Sequence, residues 1–318
     1  MALKHDPLTT DLFAQLPSPV MLSGPVDLAG FRRAARSLLA RQVPPEQVSW
    51  HSTDTRVQDL FSAQHPKTAA ANAEAFRDAP AVKVPAEFLA LCEHVILHSD
   101  PNRFGLLYRL FWRLAHEPPL RHDPLDADRL KAQHMAQAVR RDLHKMKAFV
   151  RFRTVQDERF RACPQGGPLH VAWFEPEHHI VETVAPFFAR RFAQMRWAIL
   201  TPACSVEWDC VNTRSLAGMT GQLRFGPGAS RRDAPPADAG EQLWLTYYQH
   251  TFNPSRLKLK AMHKEMPRKY WRNLPEAELI SPLSAMAGER SLRMLVQPAT
   301  QPLRRLPGTA KPVLAAPP

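Results

Sequence analysis

LHVAWFEPEHHIVETVAPFFARRFAQMRWAILTP, residues Leu169–Pro202, decides the fold. Its two ends, LHVAWFEP and MRWAILTP, have the aromatic and β-branched makeup of strands. The segment between them, HHIVETVAPFFARRFAQ, reads as a helix. Pro186 is expected to force a kink or a restart there, because its ring blocks the bond to the carbonyl four residues back. On the N-terminal side, FVRFRTV from Phe149 alternates apolar and basic groups as a half-buried strand does, and on the C-terminal side VEWD adds a short strand. Strand, strand, helix, strand, strand makes a unit with a small, mostly antiparallel sheet. LRFGPGAS reads as a turn around Gly226, Pro227 and Gly228, a two-glycine segment whose amides could also meet a phosphate.

Helices dominate upstream of this sheet. EFLALCEHVILHS makes one, and Asp100 with Pro101 opens the next, NRFGLLYRLFWRLAHE, which ends before Pro118 and Pro119. A third, from about Asp126 to Lys147, places Ala132, Met135, Ala136, Val139, Leu143 and Met146 on one face. Its other face carries Arg140, Arg141, His144 and Lys145 as a positive stripe, and Arg151 with Arg153 extends it along the following strand. Residues 18–52 read as strand, helix, strand, with Asp27 capping LAGFRRAARSLLARQ. Its Leu28, Phe31, Ala35, Leu38 and Leu39 form a buried stripe, while Arg32, Arg33 and Arg36 stay outside. The fold class is therefore α+β, a helix-rich domain with a small sheet behind a small α/β lead module. The boundaries expected are 1–64 for the lead module, 65–84 for a linker, 85–290 for the core domain and 291–318 for a disordered Pro-rich tail.

The formal net charge of +12 favours an acidic partner, nucleic acid first, and 44% hydrophobic residues suffice for a core. No apolar run approaches the roughly 20 residues of a membrane span, and MALKHDPLTTDLF lacks the basic head and apolar stretch of a signal peptide. A cytoplasmic address without membrane association is expected. Cys92, Cys163, Cys204 and Cys210 form no CxxC pairing and read as reduced thiols.

The charge concentrates in FNPSRLKLKAMHKEMPRKYWRNLPE, residues 252–276. Asn253 and Pro254 read as the start of a short helix that Pro267 stops, so Arg256, Lys260, His263 and Lys264 share one face. Lys258, Arg268, Lys269 and Arg272 add cations, and Tyr270 and Trp271 supply flat rings between them. Cations that follow a phosphate backbone beside rings that stack on bases are the makeup of a nucleic-acid grip.

The densest ionisable set is WFEPEHHIVE, with Glu175, Glu177, His178, His179 and Glu182 at a strand end and helix start. Glu175, His178 and His179 are the candidate catalytic groups. His178 and Glu182 one turn apart could pass a proton or hold a metal, and acidic residues at a helix start also simply favour its dipole. There is no HExxH, no HxE followed by PCxxC, no GxGxxG and no P-loop, so neither metal nor cofactor is expected.

DPNRFGLLYRLFWRL, MAQAVRRDLHKMKAFVRFR, HVAWFEPEHHIVETVAPFFARRFAQMRWAILTP, LRFGPGA and FNPSRLKLKAMHKEMPRKYWRNLPE occur in that order over roughly residues 85–285. In these segments the chain resembles a bacterial DNA-repair (DNA-metabolism) family of unknown mechanism, found fused upstream of a uracil-DNA glycosylase domain or alone beside a radical SAM protein. The lead module is similar to the start of the fused members. The resemblance implies work on DNA that is damaged, uracil-containing or single-stranded, with a glycosylase or radical SAM protein as partner. The Pro-rich tail stands where the fused members' linker leads into the glycosylase, so excision of uracil is not expected of this chain. CVNTRSLAGMTGQ is longer than the turn expected at that point. Two other readings stay open: an enzyme hydrolysing a modified base or nucleotide with the EPEHH segment as acid-base centre, and a scaffold docking an acidic protein.

Overall fold

The computed structural model describes residues 18–52, 82–155, 168–209, 214–215, 218–219, 221–236, 239–253 and 257–296. The chain divides into two compact units, Met1–Asp238 and Ala239–Pro318. The division falls within the stretch read from the sequence as one core domain, while residues 53–64 of the lead module and 65–81 of the linker lie outside the described residues.

The first unit opens with β1 (Ser18–Leu22) and β2 (Val48–Ser52), paired in parallel around α1 (Leu28–Ala40). Asp27 caps α1 as expected, its Oδ1 accepting from the Gly30 amide at 2.7 Å. The module is joined to the helices that follow. Trp50 meets Phe31 at 5.0 Å and Tyr108 at 5.7 Å between ring centroids, and the Arg103 guanidinium donates to the carbonyl oxygens of Pro25, Ile96 and Asp100.

Three helices make the middle layer: α2 (Ala86–Val95), α3 (Arg103–His116) and α4 (Ala127–Phe149). On α4, Ala132, Met135, Ala136, Val139 and Met146 are buried as their spacing requires. Leu143 is only half-buried, and Asp142 takes the buried position beside it at 3% exposure. Arg109 and Arg113 on α3 reach Asp126 and Asp128 at the start of α4, the Arg109–Asp128 pair being bidentate at 2.6 and 2.8 Å.

Five strands form the main sheet, in the order β3 (Arg153–Val155), β4 (Leu169–Trp173), β5 (Arg196–Leu200), β6 (Cys204–Asp209) and β9 (Gln222–Pro227). The pairings are antiparallel except β4 with β5. These two run parallel because α5 (Val181–Arg191) carries the chain back to the end from which β4 started, as a helical crossover does. A short hairpin, β7 (Arg214–Ser215) with β8 (Gly218–Met219), stands in the long segment before β9. The core between α5 and the sheet is aromatic: Phe188 meets Trp197 at 6.0 Å, Phe152 meets Phe192 at 5.3 Å, and Trp197 is fully buried.

Three local expectations are corrected by the fold. α5 does not restart at Pro186 but continues through it to Arg191; the bond its ring forfeits would go to the carbonyl of Glu182, in the exposed first turn. FVRFRTV becomes a strand only at Arg153, since α4 continues to Phe149. LRFGPGAS is largely strand rather than turn: Gly226 pairs with Ser205, and Gly228 packs where a Cβ would be driven into the Pro202 carbonyl. Those two glycines thus serve the sheet edge and a close backbone approach.

The second unit contains α6 (Ala239–Thr251), α7 (Leu259–Glu265), α8 (Arg268–Trp271), α9 (Ala277–Ala285) and α10 (Ala287–Val296). Its small core is Tyr270, Leu274, Ile280, Leu283 and Ala287, with the buried Glu276 carboxylate accepting from the Trp244 indole at 3.0 Å. α7 begins at Leu259, not at Pro254, and residues 254–256 lie outside the described residues. α10 runs to Val296, so 291–296 of the expected disordered tail are helical, while 297–318 lie outside the described residues. Among the described residues no helix is long and apolar enough to cross a membrane.

Candidate nucleic-acid interface and the Glu175–His179 segment

In the second unit Lys258, Lys260, Lys264, Arg268, Lys269 and Arg272 are all exposed, on or beside the two short helices α7 and α8. Lys260, His263 and Lys264 share a face of α7 at the expected i, i+3, i+4 spacing. Between α7 and α8 the chain turns at Met266 and Pro267, and Trp271 fixes that turn. Its Nε1 donates to the Met266 carbonyl at 2.9 Å, His263 stacks on the indole with ring centroids 5.4 Å apart, and the Arg268 guanidinium carbon lies 5.6 Å from the ring. The indole therefore acts as a post that sets the spacing of the cations of one helix against the other.

Tyr270 departs from the expected pattern. It is buried, at 3% exposure, because α8 must turn one side chain into the unit's small core, so its ring is not a platform for a base. The Lys269 ammonium lies 4.7 Å from that ring. Arg256 lies outside the described residues.

The α4 stripe is in the first unit. Arg140, Arg141, His144 and Lys147 are exposed. Lys145 is not part of the stripe: it is 9% exposed and shares a helix face with Asp142 and Phe149, its ammonium 5.7 Å from the Phe149 ring. Arg151 donates to the carbonyls of Ala148 and Val150, and Arg153 to that of Pro235, so both hold backbone in place.

The EPEHH segment follows β4. Phe174 extends the strand by donating to the Leu200 carbonyl, and Glu175 then accepts from the Trp173 indole at 3.1 Å and lies 3.6 Å from the Arg231 guanidinium. Residues 177–179 form a bend before α5, not its first turn, so the one-turn spacing of His178 to Glu182 is lost; His178 is buried and Glu182 exposed. The bend is held by Asp142, whose Oδ2 accepts from the backbone amides of Glu177 at 2.8 Å and His178 at 3.0 Å. The His178 ring lies 4.3 Å from that of His98, and its Nδ1 accepts from the Ser99 amide at 3.3 Å, which places the ring proton of the neutral form on Nε2. Burial pushes the His98 pKa down, against a smaller opposing pull from Asp100. His179 is half-buried, its backbone amide donating to the Leu97 carbonyl. Among the described residues no three His, Cys, Asp or Glu side chains are grouped to hold a metal ion.

Asp142, Ser99 and His98 are the residues of this neighbourhood that the sequence pattern did not single out. Ser99 and His98 meet His178 only through the packing of the loop after α2, and nothing local announces it. Asp142 did carry a signal, since it stands at i+3 from Val139 and i−4 from Met146, both buried.

No curated protein and no solved structure matches the chain. A family match covers residues 101–276, more than half of the 318, and runs from the residues before α3 through the EPEHH segment and both basic helices of the second unit. By this match the chain belongs to the family described as a domain of unknown function, DUF4130.

Proposed function

We propose that the protein binds DNA through the α7–α8 face of its second unit, and that it does so as a repair protein acting with a glycosylase or radical SAM partner. One observation carries the binding: the exposed cations Lys258, Lys260, Lys264, Arg268, Lys269 and Arg272 bracket the Trp271 post, with Glu265 the one carboxylate among residues 257–273. Such a face contacts phosphates, and the affinity it gives is sequence-tolerant and falls steeply with salt. With Tyr270 buried and one side of Trp271 covered by His263, phosphate contact outweighs base stacking. The damaged, uracil-containing or single-stranded nature of the substrate, and the identity of the partner, rest on the family resemblance.

The test is fluorescence anisotropy with labelled single-stranded, duplex and uracil-containing oligonucleotides. Lys260→Glu/Lys264→Glu should weaken binding to all three at least about tenfold and flatten the salt dependence by about 0.7–0.9 in log–log slope for each phosphate that the variant no longer neutralises. Affinity and slope unchanged in a folded double variant would refute the assignment of this face.

A further inference from the structure

A cavity of about 480 Å³ lies between α1 and α2 in the first unit, and none of the residues of the two sets described above lines it. Its walls are apolar, among them Phe31, Ala35, Phe88, Leu89, Cys92 and Phe111, with the Phe88 and Phe111 rings nearly parallel at 11° and 6.2 Å apart. Its polar lining is lopsided: Arg32, Arg36 and Lys83 stand against one carboxylate, Glu93. Arg32 and Arg36 are one turn apart on α1, and Arg36 is half-buried, its Nε shielded from water with no hydrogen-bond partner. That nitrogen is out of reach of a ligand, but Arg32 and Arg36 both line the one apolar cavity, and guanidinium groups so placed suit the oxygens of a carboxylate.

We propose that this cavity binds a small aromatic carboxylate, its ring between α1 and α2 and its acid group on Arg36 and Arg32. The volume falls within the range of about 300–1,000 Å³ usual for small-molecule sites, and an apolar lining with a few convergent polar groups is their usual makeup. A nucleotide fits this lining poorly, because the walls offer its sugar few hydrogen-bonding groups. The site is independent of the DNA-binding reading, since all its residues except Phe111 precede the family match.

The test is isothermal titration of the full-length protein with 2-naphthoate and, as the neutral counterpart, 2-naphthylmethanol. One naphthoate should bind per chain, at least tenfold more tightly than the alcohol. Arg36→Met keeps the apolar stem and should weaken naphthoate at least tenfold while leaving the alcohol unchanged; Arg36→Lys should recover part of the loss. Leu89→Trp, which fills the space from the α2 side, should abolish binding of both, with circular dichroism confirming that each variant is folded. Equal affinity for acid and alcohol, naphthoate binding unaffected by Arg36→Met, or no binding to the wild-type protein overturns the proposal.

Discussion

Asp142→Ala separates a structural role of the EPEHH bend from a chemical one. In the wild-type protein one buried carboxylate oxygen accepts from two successive backbone amides, Glu177 at 2.8 Å and His178 at 3.0 Å, and so ties the entrance of α5 to α4. Alanine removes the acceptor and leaves both amides without it, and the His178 amide is the more deeply enclosed. A buried donor stripped of its partner costs about 1–3 kcal/mol, so the pair predicts a loss of about 2–5 kcal/mol. For a unit of this size each kcal/mol lowers Tm by about 2–4 °C, which makes the expected drop roughly 5–15 °C. Urea denaturation followed by far-UV circular dichroism reads the same quantity as a lower midpoint at unchanged slope. Asp142→Asn, which keeps an oxygen acceptor of the same shape, should recover much of the loss. A Tm within a degree or two of wild type for Asp142→Ala would refute the idea that this carboxylate holds the bend, and His178 would then owe its position to something else.

Arg103→Met should cost about 2–4 kcal/mol by chemical denaturation, because it strips charged donors from the carbonyls of Ile96 and Asp100 and from that of Pro25, whose bond ties the lead module to α3. Gly228→Ala should destabilise by about 1–3 kcal/mol, since its methyl would be driven into the Pro202 carbonyl, whereas Gly226→Ala, with open space around it, should stay within about 0.5 kcal/mol. Asp27→Ala should lose about 1 kcal/mol at neutral pH with its helix cap. Burial pushes the Asp27 carboxyl up, but hydrogen bonds from the Ser23 hydroxyl and the Gly30 and Ser23 amides, helped by Arg33, outweigh it and hold the pKa below the ordinary 3.8. The cap is therefore fully in force above that value and is lost as pH falls through the lower folded one. A Tm series from neutral to about pH 2 should accordingly show the wild-type and Asp27→Ala curves converging only at the acid end.

The amino-acid pattern alone determined the elements whose signals are local. Asp27 before Leu28 and Asp126 before Ala127 announce helix starts through side chains that reach amides a few residues on, and the spacing of buried residues along α4 is written in the helix period. The aromatic and β-branched runs from Leu169 and from Arg196 announce strands in the same way, and the concentration of cations in residues 252–276 is visible without coordinates. What tertiary structure alone decided depends on groups far apart in the chain. Tyr270 and Trp271 are adjacent aromatics with the same apparent role, yet the small core of the second unit takes the first and leaves the second at the turn with its indole on Met266. Lys145 and Arg141 belong to one basic run, yet the α4 face that buries Asp142 also takes Lys145. Gly226 and Gly228 read as a turn until β6 supplied a partner strand and Pro202 pressed against the second glycine. Local sequence sets which backbone conformation is cheap; which side of an element meets water is fixed only when the other elements arrive, because burial is a property of the assembled surfaces and not of the residue.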